Sequence, residues 1–309
     1  LLLLLLLLLL LCFHSFIHSF LLSFHHLLFF LSSSSSSNAE EQLSNLQKLH
    51  LICNIALSRP NTRDEIYCQI LKQLTENPSK ASHARGWILL ALCVGCFLPS
   101  ENFIGVLKNF INTGPPLYTP FVLARLGRTQ RMGMRSRPPL SLEMQACFTR
   151  KPIPVEVHYY TGSLVVHMDS AFTAAETLRK LISEAPVKPG HGFSLFLCTP
   201  DFVRMTPIGL GTRFVMDALF DFEEPGMSAG LDWRDLESSR PWTAVYRKQR
   251  FAPWPESTDN LDLVYGQVLD GLSRGIYNIR SEKEMITFLA QRYYVEVRTK
   301  NKKKKNRNK

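Results

Sequence analysis

The sequence predicts a multidomain α + α/β protein: an all-α domain, then an α/β lobe of the β-grasp type, then part of a second helical lobe. Three observations predict it. Apolar residues recur at spacings of three and four from Leu43 to Gln130, the helical period. After Arg150-Lys151-Pro152 the period changes to the alternation of strands, beginning with Pro154 to Tyr160 (PVEVHYY). From Asp259 the helical period returns in two amphipathic stretches. A chain of 309 residues is long enough for two modest domains, each with a core.

Leu1 to Leu31 consists of leucine, phenylalanine, serine and histidine with one cysteine and one isoleucine; Ser32 to Ser37 follow, and no methionine opens the chain. Leu, Phe and Ser all have pyrimidine-only codons, and the Lys/Asn/Arg terminus has purine-rich ones. Both ends therefore read as translated simple-sequence DNA. The alternative is a membrane anchor or signal peptide: the apolar stretch is long enough to span, but it lacks a basic n-region and a small-residue cleavage site.

A helix is expected from Glu40 to Ala56, with Leu43, Leu46, Leu49 and Ile52 in its stripe. Thr62 and Glu65 have capping-box spacing, and Ile66, Ile70, Leu71 and Leu74 follow on one face. Asn77-Pro78-Ser79 breaks that helix. The next, from about Ala81, carries twelve consecutive apolar or Gly positions, Trp87 to Leu98, before Pro99. A bilayer needs about 20 residues, so this run is read as a central helix surrounded by neighbours. Ser100 is expected to cap a helix to about Ile111, Gly114-Pro115-Pro116 to turn, and Pro120 to Gln130 to form another helix. Gly127 inside that helix costs about 1 kcal/mol relative to Ala.

In the next lobe, Pro154 to Tyr160, the turn Thr161-Gly162 and Leu164 to Met168 read as a β-hairpin. Thr173 and Glu176 form a second capping box, opening a helix that buries Leu178, Leu181 and Ile182. Phe193 to Cys198, Phe214 to Phe220 and Trp242 to Arg247 read as strands or extended segments, and Glu223 to Arg240 as a polar, mobile loop. This β-β-α-β-β order is that of a ubiquitin-like β-grasp unit. Two helices close the pattern: Asp259 to Arg274, with Leu263, Val264, Tyr265, Val268 and Leu272, and Ser281 to Val295, with Ile286, Leu289 and Tyr293. A pair with few neighbours leaves such side chains exposed, each forgoing about 1.5–3 kcal/mol of burial.

Four segments, in order, carry a family resemblance: Arg63-Asp64-Glu65-Ile66-Tyr67-Cys68-Gln69, Asn77-Pro78-Ser79, Ala84-Arg85-Gly86-Trp87 and Cys93-Val94-Gly95-Cys96-Phe97. Gly114-Pro115-Pro116, Arg125-Leu126 before Arg128-Thr129, and Pro138-Pro139 before Glu143 and Gln145-Ala146 extend it. These residues resemble the MyTH4 domain of unconventional myosin tails, of the class fifteen or class seven kind, and the resemblance runs from about Ser44 to about Val297. Trp242, Arg247-Lys248 and Phe251, Pro253 and Trp254 are similar to the end of the first FERM lobe. The resemblance implies a low-complexity segment over 1–38, a MyTH4 domain over 39–149 lacking its N-terminal part, the ubiquitin-like FERM first lobe over 150–255, part of the helical second lobe over 256–297, and a basic tail over 298–309. The sequence departs from the family at Gly127, where a basic residue is usual, and at Met132-Gly133, in place of Asn-Gly.

The search for chemistry returns mostly structural readings. The net charge is +10, but eight of those charges lie between Arg298 and Lys309, leaving +2, so the basic balance does not point to nucleic acid. Seven scattered cysteines read as reduced thiols in a cytosolic protein. Cys93-x-x-Cys96 has no second ligand pair and lies in an apolar helix, so it reads as core. Gly209-Leu210-Gly211 is a lone Gly-x-Gly without a phosphate loop, and His158, His167 and His191 have no Ser or Cys partner. Asp64-Glu65 and Glu223-Glu224 read as cap and loop charges. We therefore expect no enzyme activity, no cofactor, and neither ATP nor zinc.

Surfaces remain. Lys72, Lys80, Arg85, Arg125, Arg128, Arg131, Arg135 and Arg137 give the helical domain a basic face. The resemblance implies a cytoplasmic, cytoskeleton-associated module that binds acidic peptide segments of cargo or of microtubule- or actin-associated proteins, with Lys72, Lys80, Arg85, Arg125 and Arg128 as contacts. A plain solvated face is the alternative, and Arg85, beside Trp87, has a structural alternative too. Reversing Lys72, Lys80 and Arg128 to Glu is expected to abolish binding at little cost in stability. The short connection from Cys147 to Pro152 makes the two domains one rigid unit in this reading. Two other functions stand beside it: a membrane-anchored adaptor using Leu1 to Leu31 and the basic tail, and a non-functional gene fragment.

Overall fold

The computed structural model describes residues 44–188, 190–228, 242–251, 260–277 and 279–307. The helical domain consists of α1 (Asn45–Ser58), a 3-10 turn (Pro60–Thr62), α2 (Arg63–Leu74), α3 (Lys80–Val94), α4 (Glu101–Asn112), α5 (Thr119–Met132) and α6 (Ser141–Thr149). The apolar run forms the centre: Gly86 through Val94, then Cys96 and Phe97, are all buried, because α2, α5 and α6 pack around α3. Tyr67 anchors α2 to the end of this run, its hydroxyl donating to the Phe97 carbonyl at 2.6 Å.

Two helix starts differ from expectation. The first described helix opens at Ser44, whose Oγ accepts from Gln47 N while Gln47 Oε1 accepts from Ser44 N, a reciprocal capping box; the expected start at Glu40 lies outside the described residues. The Thr62–Glu65 capping box does not form. Pro60 starts a 3-10 turn that runs directly into α2, so Thr62 already has helical backbone angles, and its hydroxyl donates back to Arg59 O at 2.8 Å. Glu65 accepts from Gln69 instead. The neighbouring Asp64 caps another helix: its two oxygens accept from Ser100 N and Ser100 Oγ, both at 2.6 Å, at the entry to α4.

The lobe that follows contains β1 (Ile153–Tyr159), β2 (Gly162–Met168), α7 (Ala174–Glu184), β3 (Phe193–Cys198), β4 (Met205–Gly209), α8 (Val215–Ser228) and β5 (Thr243–Lys248). Its sheet has the order β2-β1-β5-β3-β4, with β1 parallel to β5 (Val157 opposite Ala244) and β3 antiparallel to β4 (Leu197 opposite Thr206). Alternate residues Ile153, Val155 and Val157 of β1 are buried, and β3 is buried at every position. The Thr173–Glu176 capping box is formed, with Leu181 and Thr177 buried under α7 and Leu178 and Ile182 only half-buried.

The expected extended segment at Phe214 to Phe220 is helical. Val215, Met216, Ala218, Leu219, Phe220 and Phe222 are all buried, and such density imitates a strand in sequence. The helical signal is the spacing of four between Asp217 and Asp221, which share a face. Strand β4 had no counterpart among the expected elements; Pro207 within it weakens the strand pattern and suits the sheet edge it occupies. Of the expected Glu223 to Arg240 loop, the first six residues belong to α8 and 229–241 lie outside the described residues.

The chain divides into two compact units: the first comprises described residues through His158 and within Ser163–Pro189 and Ser194–Tyr246, the second those within Tyr159–Gly162, Gly190–Phe193 and Arg247–Lys309. In the second, Gln267 on α9 (Leu261–Ser273) accepts from Lys248 N and donates to Lys248 O, both at 2.8 Å, so a side-chain amide satisfies a strand residue in place of a further strand. Along α10 (Glu282–Arg307), Met285, Ile286, Leu289 and Tyr293 are exposed, as a short helical pair predicts.

Candidate functional site

Four arginines of the presumed basic face belong instead to a junction between the helical domain and the ubiquitin-like lobe, both parts of the first unit. On α5, Arg125 and Arg128 are one turn apart and face the segment before α7. Arg125 is buried: Nε donates to Ala91 O at 2.9 Å and Nη2 to Ser170 Oγ. Its guanidinium occupies the space that a side chain at Gly95 would need, which is the physical reason for glycine there. Arg128 donates to Asp169 Oδ2 at 3.0 Å and, from Nη2, to both oxygens of Glu176. Glu176 is also the residue that closes the capping box of α7, so one carboxylate ties Arg128 to the start of a helix. Burial alone would raise the Glu176 pKa, but the bonds from Arg128 and Thr173 outweigh it and hold it below the ordinary value.

Gly133, at φ 93°, ends α5 in a conformation that side chains resist, and the chain then runs without helix or strand through Arg135 to Pro139, bending at Ser136 and Arg137. Arg135 is 0% exposed and lies between two carboxylates, Glu143 at 2.7 Å from Nη1 and Asp217 at Nε; Nη1 also donates to Ser170 O at 3.0 Å. Burial would lower its pKa, and the two acids raise it above the ordinary arginine value. Asp217 accepts in addition from Ser136 N at 2.9 Å and Ser136 Oγ at 2.7 Å. Arg137 reaches Asp221 at 2.6 Å, and Arg213 shares the same carboxylate at 2.7 Å. Beside them His50 hydrogen-bonds to Pro139 O at 2.9 Å and packs on Phe220, and burial lowers its pKa.

The five expected contacts therefore separate. Lys72 and Lys80 are exposed and Arg85 is half-buried, whereas Arg125 and Arg128 are committed to the lobe, as are Arg135 and Arg137. The expectation that Arg128 could be reversed at little cost is corrected: its side chain is 19% exposed and holds two carboxylates. Of the acids that complete the junction, Glu176 was expected only as a capping-box residue and Glu143 only as part of the family motif, and Asp169, Asp217 and Asp221 were not singled out from sequence.

Cys53 and Cys96 are buried, and the neighbouring thiols together with burial push both pKa values well up, so they are protonated core groups. Among the described residues no group of three or more His, Cys, Asp or Glu is placed to hold a metal ion. His158 lies 3.7 Å from Glu156 on the sheet surface, and His167 and His191 are exposed.

An all-helical domain bolted through arginines to a β-grasp lobe is the architecture of a MyTH4–FERM module. Residues 49–146 match the MyTH4 domain and 151–250 the RA-like domain. The chain is 43% identical over 260 residues to myosin-VIIa of Drosophila melanogaster and 42% identical over 263 residues to unconventional myosin-VIIb of Mus musculus, covering 83% and 84% of this chain. It spans 12% of the length of each of these relatives. Among solved structures it is similar to the human myosin 7b C-terminal MyTH4–FERM domain in complex with the harmonin-a PDZ3 domain, with TM-score 0.68, 25% identity, and coverage of 85% of this chain and 53% of that one. The Dictyostelium discoideum myosin VII MyTH4–FERM MF1 domain shares the fold, with TM-score 0.61, 21% identity, and coverage of 81% and 52%. The chain belongs to the MyTH4–FERM tail regions of unconventional myosins, of the class-seven type.

Proposed function

We propose that this chain is a non-catalytic docking module of a myosin tail, in which the helical domain and the ubiquitin-like lobe present one coupled surface to protein partners. The observation that supports this most is Arg135, fully buried between Glu143 of its own domain and Asp217 of the lobe. Separating the two would leave charges without partners in a low-dielectric site, so the junction favours a fixed mutual orientation. The solved human myosin 7b relative, bound to a PDZ domain, supports a protein as the class of partner. Partners are cargo or cytoskeletal proteins, and the module is cytoskeleton-associated in this reading. No described helix is long and apolar enough to cross a membrane; the Leu1 to Leu31 stretch on which a membrane-anchored adaptor would rest lies outside the described residues.

Acidic segments remain the favoured ligand chemistry, with Lys72, Lys80 and Arg85 as contacts, while Arg125 and Arg128 act at the junction. The test is titration of the full chain with a fluorescent acidic peptide at rising salt. Exposed ion pairs of about 0.2–1 kcal/mol each give micromolar affinity at best and are screened as the Debye length falls, so binding is expected to disappear by about 0.5 M salt. Salt-independent binding rejects the electrostatic reading.

A further inference from the structure

Elsewhere the helical domain combines exposed apolar side chains with cations that have no counter-ion among the described residues. The turn Gly114-Pro115-Pro116 is closed by Tyr118 N donating to Pro115 O at 2.9 Å, and it presents Leu117, which is 62% exposed. Trp87, itself buried, stacks with both Phe110 at 6.0 Å and Tyr118 at 5.9 Å, so the Tyr118 ring rests on a buried aromatic partner. A side chain at Gly114 would run into the Trp87 ring, which fixes the approach of the turn. At the end of α6, Phe148 is 68% exposed. Arg150 joins the two places: its guanidinium lies 5.1 Å over the Tyr118 ring, and its Nη1 donates to Phe148 O at 3.2 Å.

Arg150 holds this position from a left-handed backbone, φ 55°, where a side chain is costly and persists only because its surroundings determine it. No carboxylate among the described residues pairs with Arg150 or with its exposed neighbour Lys151. The sequence explains why: between Glu101 and Glu156 there is one acid, Glu143, buried against Arg135, but eight Lys or Arg. An external carboxylate is the complement this face lacks.

We propose that Leu117, Tyr118, Phe148 and Arg150 form a docking site for a peptide segment carrying a bulky apolar residue beside a carboxylate. The apolar residue lands on Leu117 and Phe148 against the Tyr118 ring, and the carboxylate pairs with Arg150 or Lys151. This rests on the docking reading above and names other residues than Lys72 and Lys80.

The probe is a short fluorescent peptide with one Phe flanked by Asp and Glu, titrated into the full chain and followed by anisotropy. Two control peptides replace either the Phe or the acids by Ser. Both controls are expected to bind about tenfold more weakly, as are the protein variants Phe148→Ser and Arg150→Asn, the loss typical of a well-placed anchor. Asn tolerates the left-handed backbone, so Arg150→Asn removes charge without strain, and unchanged melting temperatures confirm that both variants fold. Lys72→Glu/Lys80→Glu is expected to leave this binding unchanged. Failure of the Phe peptide to bind, or binding indifferent to Phe148 and Arg150, overturns the inference. If an acidic peptide without the Phe still binds and is lost in Lys72→Glu/Lys80→Glu, the proposed function survives that failure; if neither peptide binds, both readings fall.

Discussion

Arg135 of the helical domain and Asp217 of the ubiquitin-like lobe form an ion pair whose side chains are 0% and 6% exposed. A pair so deeply buried is poor evidence of added stability, because desolvation consumes much of the attraction, but removing one member leaves the other charge stranded. Arg135→Met is therefore expected to cost about 3–5 kcal/mol in urea denaturation. Arg135→Lys should fall between the two, since a point charge cannot contact Glu143, Asp217 and Ser170 O at once as the forked guanidinium does. A loss below about 1 kcal/mol, the range of surface pairs, would show that water reaches the pair.

Much of the helical domain was legible because local signals and global packing agree there. Trp87 to Val94 is the central helix that burial on every side predicts, although it stops four residues short of the expected Leu98, at a turn through Gly95 and Cys96, and Ser44 through Val297 carries the motifs of one family. The junction was not legible for a physical reason: an arginine has the same letter whether it faces water or a carboxylate many residues away. Arg135 and Asp217 are 82 positions apart, and periodicity on one element says nothing about a partner on another. The available hint was Asp217 and Asp221, four apart in the otherwise apolar stretch Phe214 to Phe222, where lone solvated charges would be out of place. Thr62 failed for a local reason, since Pro60 set the backbone before the hydroxyl could cap.

The glycines should separate by what surrounds them. Gly127 is inside α5, and a methyl group there would meet only Arg131 Nη1 at 3.5 Å, so Gly127→Ala is expected to stabilise by about 1 kcal/mol from helix propensity. Gly95→Ala must displace the Arg125 guanidinium from Ala91 O and Ser170, and a lower melting temperature is expected. The opposite order of melting temperatures would mean that Arg125 is not held against Gly95.

Acid should loosen the junction in two stages. His50 has its pKa lowered by burial, so the folded state takes up its proton less readily than the unfolded chain; stability is complete above the ordinary value of 6.5 and declines as pH falls below it. Glu176 has its pKa lowered despite burial because Arg128 and Thr173 bond its charged form; that contribution is present above the ordinary 4.5 and is lost as pH falls through the depressed value. Melting temperatures from pH 7.5 downward should show the first decline in the parent but not in His50→Phe, which cannot titrate. An equal decline in both would assign it to another group.

Charge reversal distinguishes the two classes of basic residue most directly. Lys72 and Lys80 are exposed, so Lys72→Glu/Lys80→Glu should change stability within about 0.5 kcal/mol, while removing salt-sensitive binding of an acidic peptide if those residues contact it. Arg128→Glu places a third carboxylate against Asp169 and Glu176 and removes the donor that lowers the Glu176 pKa. It should lower the melting temperature and, by weakening the tie between α5 and α7, let the helical domain and the lobe tumble with different correlation times in NMR relaxation. The parent should show one correlation time for both. A reversal at Arg128 as harmless as those at Lys72 and Lys80, with a single correlation time retained, would place it on the solvated face after all and leave Arg135 alone to join the two domains.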